Sequence, residues 1–113
     1  MDTVSTKSEL RPAALKKRLD GGEKLPILDV REPDELLICQ LKDTINIPMS
    51  QLGERVDELN QYKDGPLVVM CRSGGRSNRC ADLLVSKGFK SVINLDGGIL
   101  AWSDEVDSTI QKY

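Results

Sequence analysis

Short, mostly apolar runs alternate along this chain with segments whose apolar residues recur at three- and four-residue spacing. Residues 25–30, 45–48, 67–70 and 92–95 form the short runs, the pattern of strands covered on both faces. Glu9 and Leu10 read as one more short strand. Between the runs, residues 12–19 predict a helix with Pro12 in its first turn and Ala14, Leu15 and Leu19 on one side. Gly21 and Gly22 stop it. Pro33 opens a helix through Ile38 that turns Leu36 and Leu37 inward. Ser50 suits the N-cap of a segment carrying Leu52, Val56 and Leu59 at helical spacing. Cys80, Ala81 and Leu84 mark the buried face of a helix that ends at Gly88. Residues 99–106 predict a last helix anchored by Trp102. Strands alternating with helices argue for an α/β domain with a mainly parallel sheet. Residues 1–8 and 107–113 are polar and read as tails around one domain at 9–106.

Composition narrows the chemistry. The chain has 113 residues, of which 39% are hydrophobic and only 4% aromatic, so its core is built from Leu, Ile and Val. A net charge of -2 gives no general attraction to nucleic acid or to an anionic membrane. No apolar run approaches the ~20 residues of a membrane span, and the polar start lacks the apolar stretch of a signal peptide. A cytoplasmic protein is expected, without nucleic-acid or membrane partners. Cysteines stand at positions 39, 71 and 80 with no C-x-x-C, and histidine is absent. Cys-His nucleophile pairs, Ser-His-Asp triads and His-ligated metals are thereby excluded. No metal or cofactor is expected.

The chemistry concentrates in Cys71-Arg72-Ser73-Gly74-Gly75-Arg76-Ser77, between an apolar strand and an amphipathic helix. Ligands of parallel sheets bind beyond the carboxyl ends of strands, where this loop lies. A free cysteine near neutral pH is mostly thiol. Small residues at 73–75 let backbone amides converge as a nest, the following helix offers free N–H groups, and Arg72 and Arg76 add charge. These features favour a thiolate, would hold an anionic substrate and would stabilise a persulfide. The plain alternative is an inert buried thiol beside a glycine turn, which leaves two arginines in that turn unexplained. Tyrosine-type phosphatases place five residues between their cysteine and arginine. Only four separate Cys71 from Arg76. The smaller cradle suits a sulfur atom better than a phosphoryl group, and neither Asp29 nor Asp96 is a convincing general acid for a leaving group.

Four segments in order resemble the rhodanese family of sulfurtransferases across about residues 9–106. They are Ile27-Leu28-Asp29-Val30-Arg31-Glu32-Pro33, Ile45-Asn46-Ile47-Pro48, the loop 71–77, and Asp96-Gly97-Gly98-Ile99-Leu100-Ala101-Trp102. The likeness extends to single-domain members and to domains fused to adenylyltransferases that activate sulfur carriers. It implies a five-stranded parallel sheet flanked by helices on both faces, Cys71 as the persulfide-forming nucleophile, and residues 72–76 as its cradle, with Ser77 closing the loop. It also suggests that Asp29 and Arg31 make buried polar contacts nearby, more simply as an ion pair fixing the strand end. The partners implied are a small anionic sulfur donor such as thiosulfate and a thiol or protein acceptor. A persulfide relay docking to a cysteine desulfurase or a carrier pathway is the alternative, and the expected assembly is a monomer or weak dimer. Gln40 replaces a histidine common in the family. Cys80 reads as core, Cys39 as partly exposed, and either is a candidate to resolve a Cys71 persulfide.

Overall fold

The structure is a computed structural model that describes residues 5–113. Five strands, β1 (Thr6–Leu10), β2 (Ile27–Asp29), β3 (Thr44–Asn46), β4 (Pro66–Met70) and β5 (Ser91–Leu95), form one sheet in the order β1-β5-β4-β2-β3. Every pairing is parallel. Helices α1 (Pro12–Asp20), α2 (Pro33–Leu36), α3 (Met49–Arg55), α4 (Gly75–Ser86) and α5 (Gly98–Glu105) connect them, with a 3-10 helix at Val56–Tyr62.

The two-residue period of a strand sorts the core into two layers. Leu67 and Val69 of β4 face Leu52, Leu59, Ala81 and Leu84, in the layer under α3 and α4. Val68 and Met70 face Leu15, Leu95, Ile99 and Trp102, in the layer under α1 and α5. The central strands are mostly apolar because both of their faces are covered, with Asp29 and Asn94 as buried polar exceptions. Polar β1 is the exposed edge, and a charged edge discourages pairing with another sheet.

Several expectations need correction. The first strand starts at Thr6, so residues 6–8 pair with β5 instead of forming a tail; the expectation for Met1–Val4 lies outside the described residues. On α1 the buried positions are Pro12 and Leu15 with Leu19 packed beside them, while Ala14 is exposed. Residues 12, 15 and 19 share a stripe that residue 14 misses by about one residue's rotation, roughly 100°. The helix after Pro33 is a single turn, and Leu37 is 89% exposed instead of inward. It is held by a capping box between Glu32 and Glu35 and not by core burial. Pro48, not Ser50, occupies the N-cap of α3; Ser50 hydrogen-bonds to Glu32 instead. The helical spacing that continues to Leu59 passes into the 3-10 helix, with Leu59 still buried.

The largest departure is at the C-terminus. Residues 107–113 fold back onto the domain instead of fraying. Ser103 Oγ donates to Ile110 O at 2.7 Å, and Ile110 and Tyr113 pack on the α1/α5 layer. This carries Tyr113 to the loop that follows β4.

The turn 96–98 shows why a glycine stands beside that loop. Gly98 has φ 60°, and a Cβ there would lie 2.4 Å from Arg72 O and 2.5 Å from Cys71 O. Only glycine lets the chain pass so close. The amides of Ile99 and Leu100, at the start of α5, then donate to those two carbonyls at 3.0 and 3.1 Å.

Candidate active site around Cys71

Cys71 follows the last residue of β4, in the middle of the sheet, and is 1% exposed. Gly74 adopts φ 108° and caps α4 in the left-handed conformation. That turn brings the loop back over the sulfur. Gly74 N–H donates to Cys71 Sγ at 3.1 Å and Ser77 N–H at 3.4 Å, while Ser77 Oγ lies 3.4 Å away. Burial raises the thiol pKa. The bonds from the Ser77 hydroxyl and from the amides of Ser77, Gly74 and Ser73 outweigh it, and the thiol lies below its ordinary value. The cradle expected from the small residues at 73–75 is thus formed by Gly74 and Ser77, with the Ser73 amide contributing.

The two loop arginines are engaged elsewhere. Arg76 makes a two-pronged pair with Glu35, each bond 2.8 Å. Arg72 donates to the carbonyl of Tyr113 and packs 5.0 Å from its ring centroid. The charge of Arg76 couples to Cys71 through space, whereas the direct donors are backbone amides, with the Ser77 hydroxyl in contact. Arg79 is exposed on α4.

Asp29 and Arg31 are both fully buried. Arg31 Nη2 donates to Asp29 Oδ2 at 2.8 Å, Nε meets both carboxylate oxygens at 3.1 Å, and the Arg31 amide reaches Oδ1 at 3.0 Å. Arg31 also donates to Cys39 O at 2.9 Å and Tyr113 Oη at 3.1 Å. This is the strand-end ion pair. It lies against the segment 35–39 and the C-terminal fold-back, and neither side chain bonds to Cys71. Gln40 lines a cavity of about 500 Å³ with Leu19, Leu41, Trp102 and Ile110. Cys39 is half-buried, and Arg31 Nη1 approaches its sulfur at 3.9 Å. Cys80 is buried on α4, and that burial, with the neighbouring Cys71, pushes its thiol up to about 11. A thiol so protonated is a weak nucleophile. Among the described residues no His, Cys, Asp or Glu cluster could hold a metal ion, and no helix is long and apolar enough to cross a membrane.

Three contributors escaped the reading of the sequence. Asn94 on β5 accepts from Ser77 Oγ at 2.6 Å. Its signal was available: one amide inside the apolar run Val92-Ile93-Asn94-Leu95. Glu35 and Tyr113 carried no such signal. The Tyr113 hydroxyl donates to Glu35 Oε1 at 2.7 Å.

The bond from Arg76 drives Glu35 down to about 2; burial opposes the shift and Tyr113 adds to it. A carboxylate lowered on folding contributes stability above its ordinary 4.5, lost as pH falls toward about 2. The thermal stability of wild type over Glu35→Gln is therefore expected to shrink as pH is taken from 4.5 to about 2. A difference constant across that window would contradict it.

Residues 11–105 match the family described as the rhodanese-like domain. The Bacillus subtilis protein YtwF is 37% identical over 97 residues, covering 86% of this chain and 91% of its own length. A sulfurtransferase of Allochromatium vinosum is 34% identical over 96 residues, covering 85% and 88% respectively. Among solved structures, a rhodanese-related protein from Thermoplasma volcanium superposes with a TM-score of 0.77 at 31% identity, over 88% of this chain and 93% of that one.

Proposed function

This chain belongs to the rhodanese-like family, and from that premise we propose that it transfers sulfane sulfur through a persulfide on Cys71. The observation that carries the reading is the convergence of the Gly74 and Ser77 amides and the Ser77 hydroxyl on one sulfur. A thiolate needs donors, and so does the terminal sulfur of a persulfide.

The exchange runs in two steps. The Cys71 thiolate attacks the outer sulfur of thiosulfate, a sulfur–sulfur bond forms, and the old bond breaks with its electron pair leaving on sulfite. The outer sulfur then carries the negative charge, within reach of the loop amides. An acceptor, cyanide in an assay or a thiol or protein in the cell, attacks that sulfur. Cys71 leaves as thiolate, ready for the next donor. Residues 72–76 cradle the anion and Ser77 closes the loop. Asp29 and Arg31 hold the strand end beside it. A covalent intermediate between two half-reactions predicts ping-pong kinetics. The three unpaired thiols suit a reducing compartment such as the cytoplasm. Net charge -2 fits neither a nucleic-acid nor a membrane partner, and the protein is proposed to act as a monomer or weak dimer.

The 1% exposure of Cys71 favours small donors that reach the sulfur end-on. Exposed Leu37, Ile38 and Met49 favour the second reading, a relay that docks to a protein donor. Steady-state turnover of thiosulfate with cyanide, set beside sulfur uptake from a cysteine desulfurase, separates the two. Saturable thiosulfate turnover with parallel reciprocal plots is the expected outcome. Rapid uptake from the desulfurase with negligible thiosulfate turnover would establish the relay instead.

A further inference from the structure

Ser77 has one hydroxyl hydrogen and three acceptors around it: Asn94 Oδ1 at 2.6 Å, Gly74 O at 3.2 Å and Cys71 Sγ at 3.4 Å. One hydrogen cannot serve all three. The short contact to Asn94 takes it. Ser77 Oγ then presents a lone pair to Cys71, an arrangement suited to a thiol that donates its S–H. A thiolate reverses the demand, because it can only accept. For the Ser77 hydrogen to turn to the sulfur, two oxygens 2.6 Å apart would be left with no hydrogen between them.

The side chain of Asn94 resolves this conflict. Its oxygen and NH2 group are nearly equal in size, so a half-turn of the amide exchanges acceptor for donor without repacking. The turned amide donates to Ser77 Oγ and leaves the Ser77 hydrogen free for the sulfur. The turn gives up the weak bond from Asn94 Nδ2 to Gly74 O at 3.4 Å and sets the amide oxygen beside that carbonyl, which keeps its bond from the Asn78 amide at 3.0 Å. Asn94 is 3% exposed and Ser77 fully buried, so water does not compete freely for these groups. The β-strand period also places Asn94 with Val92 on the α4 side of the sheet, facing Ser77.

We propose that Asn94 is a positioning residue for sulfur transfer: its amide sets the direction of the Ser77 hydroxyl, accepting from it when Cys71 is a thiol and donating to it when Cys71 is an anion. The inference rests on Cys71 being the sulfur-carrying thiol. The charged and titratable groups around Cys71 are Arg72 in the loop, Arg76 and Cys80 on α4, and Asp29 and Arg31 at the end of β2, with Glu35 and Tyr113 behind the arginines. Among the described residues none of them shares a hydrogen bond with Ser77 or Asn94. They act on the sulfur through space, and substitutions at Ser77 and Asn94 leave all of them in place.

The test is the pH profile of Cys71 alkylation by iodoacetamide, read on the Cys71 peptide by mass spectrometry. Four proteins are compared: wild type, Asn94→Leu, Ser77→Ala and the double variant. Asn94→Leu is expected to move the midpoint up by about one pH unit, a tenfold loss of thiolate below it. In the Ser77→Ala background the same substitution is expected to move it by less than about a third of that. Equal shifts in both backgrounds, no shift, or a downward shift would overturn the inference. Asn94→Asp keeps the side chain's shape but, when ionised, can only accept. It is expected to raise the midpoint at least as far, and an unchanged midpoint there would also overturn the proposal. Alkylation needs no sulfur donor. A flat cycle in a protein that still takes up sulfur therefore removes this inference alone, whereas absence of sulfur uptake in wild type removes the reading of Cys71.

Discussion

Cys71→Ser is expected to lower thiosulfate-dependent turnover by at least about a thousandfold while leaving thermal unfolding close to wild type. The reason lies in the leaving step as much as in the attack. A serine hydroxyl in the same cradle is not ionised near neutral pH, and an alkoxide is a far poorer leaving group than a thiolate. The donors converging on Cys71 Sγ, Gly74 N–H at 3.1 Å and Ser77 N–H at 3.4 Å, would remain and would still hold an anion. Binding of thiosulfate should therefore outlast its turnover. Cys39→Ser and Cys80→Ser are the controls. Cys80 is buried with its thiol pushed up to about 11, so Cys80→Ser is expected to keep turnover close to wild type. The Cys39 sulfur sits 3.9 Å from Arg31 Nη1. Retention of more than about a tenth of wild-type turnover in Cys71→Ser would place the nucleophile elsewhere.

Asp29→Ala is expected to destabilise the fold strongly. It strips a fully buried guanidinium of the carboxylate that meets it at 2.8 and 3.1 Å. The remaining oxygen partners of the Arg31 guanidinium, Cys39 O at 2.9 Å, Tyr113 Oη at 3.1 Å and Glu35 O at 3.4 Å, carry no compensating full charge. Breaking one side of a buried pair costs about 3–5 kcal/mol. Domains near this size are stable by about 5–15 kcal/mol and lose roughly 4–8 °C per kcal/mol, so a fall in Tm of roughly 12–40 °C is expected. The cost comes from an unpaired charge more than from a lost attraction. Asp29→Leu combined with Arg31→Met should therefore be markedly more stable than Asp29→Ala alone. A fall below about 5 °C in the single variant, or a double variant no better than the single one, would contradict this account.

The balance between local and distant interactions decided how much the sequence revealed. The strands were readable because both faces of β2, β4 and β5 are covered, which leaves short apolar runs. The Cys71 loop was readable because its small residues and its place after β4 are local properties. Asn94 was readable in principle as the one amide in an apolar strand, but its partner is 17 residues away. Glu35 and Tyr113 were not readable. They lie 41 residues from Arg76 and 82 from Arg31, and nothing in an acidic turn or a polar tail announces a partner at that separation. The inward turn expected of Leu37 failed for a related reason. Spacing alone treats Pro33–Leu36 as part of a longer amphipathic helix, whereas a one-turn helix fixed by its own capping box need bury no face. The charge of Arg72 and Arg76 was readable in the loop, but the direction of each guanidinium was not, because it is set by the distant Glu35 and the carbonyl of Tyr113.

The central claim is that Cys71 carries the sulfur in transit. Intact-mass analysis of the reduced protein after incubation with thiosulfate and removal of excess donor tests it most directly. The account predicts a gain of one sulfur atom, mapped to the Cys71 peptide, discharged by cyanide and absent from Cys71→Ser. No gain in wild type, or a gain that persists in Cys71→Ser, would contradict it.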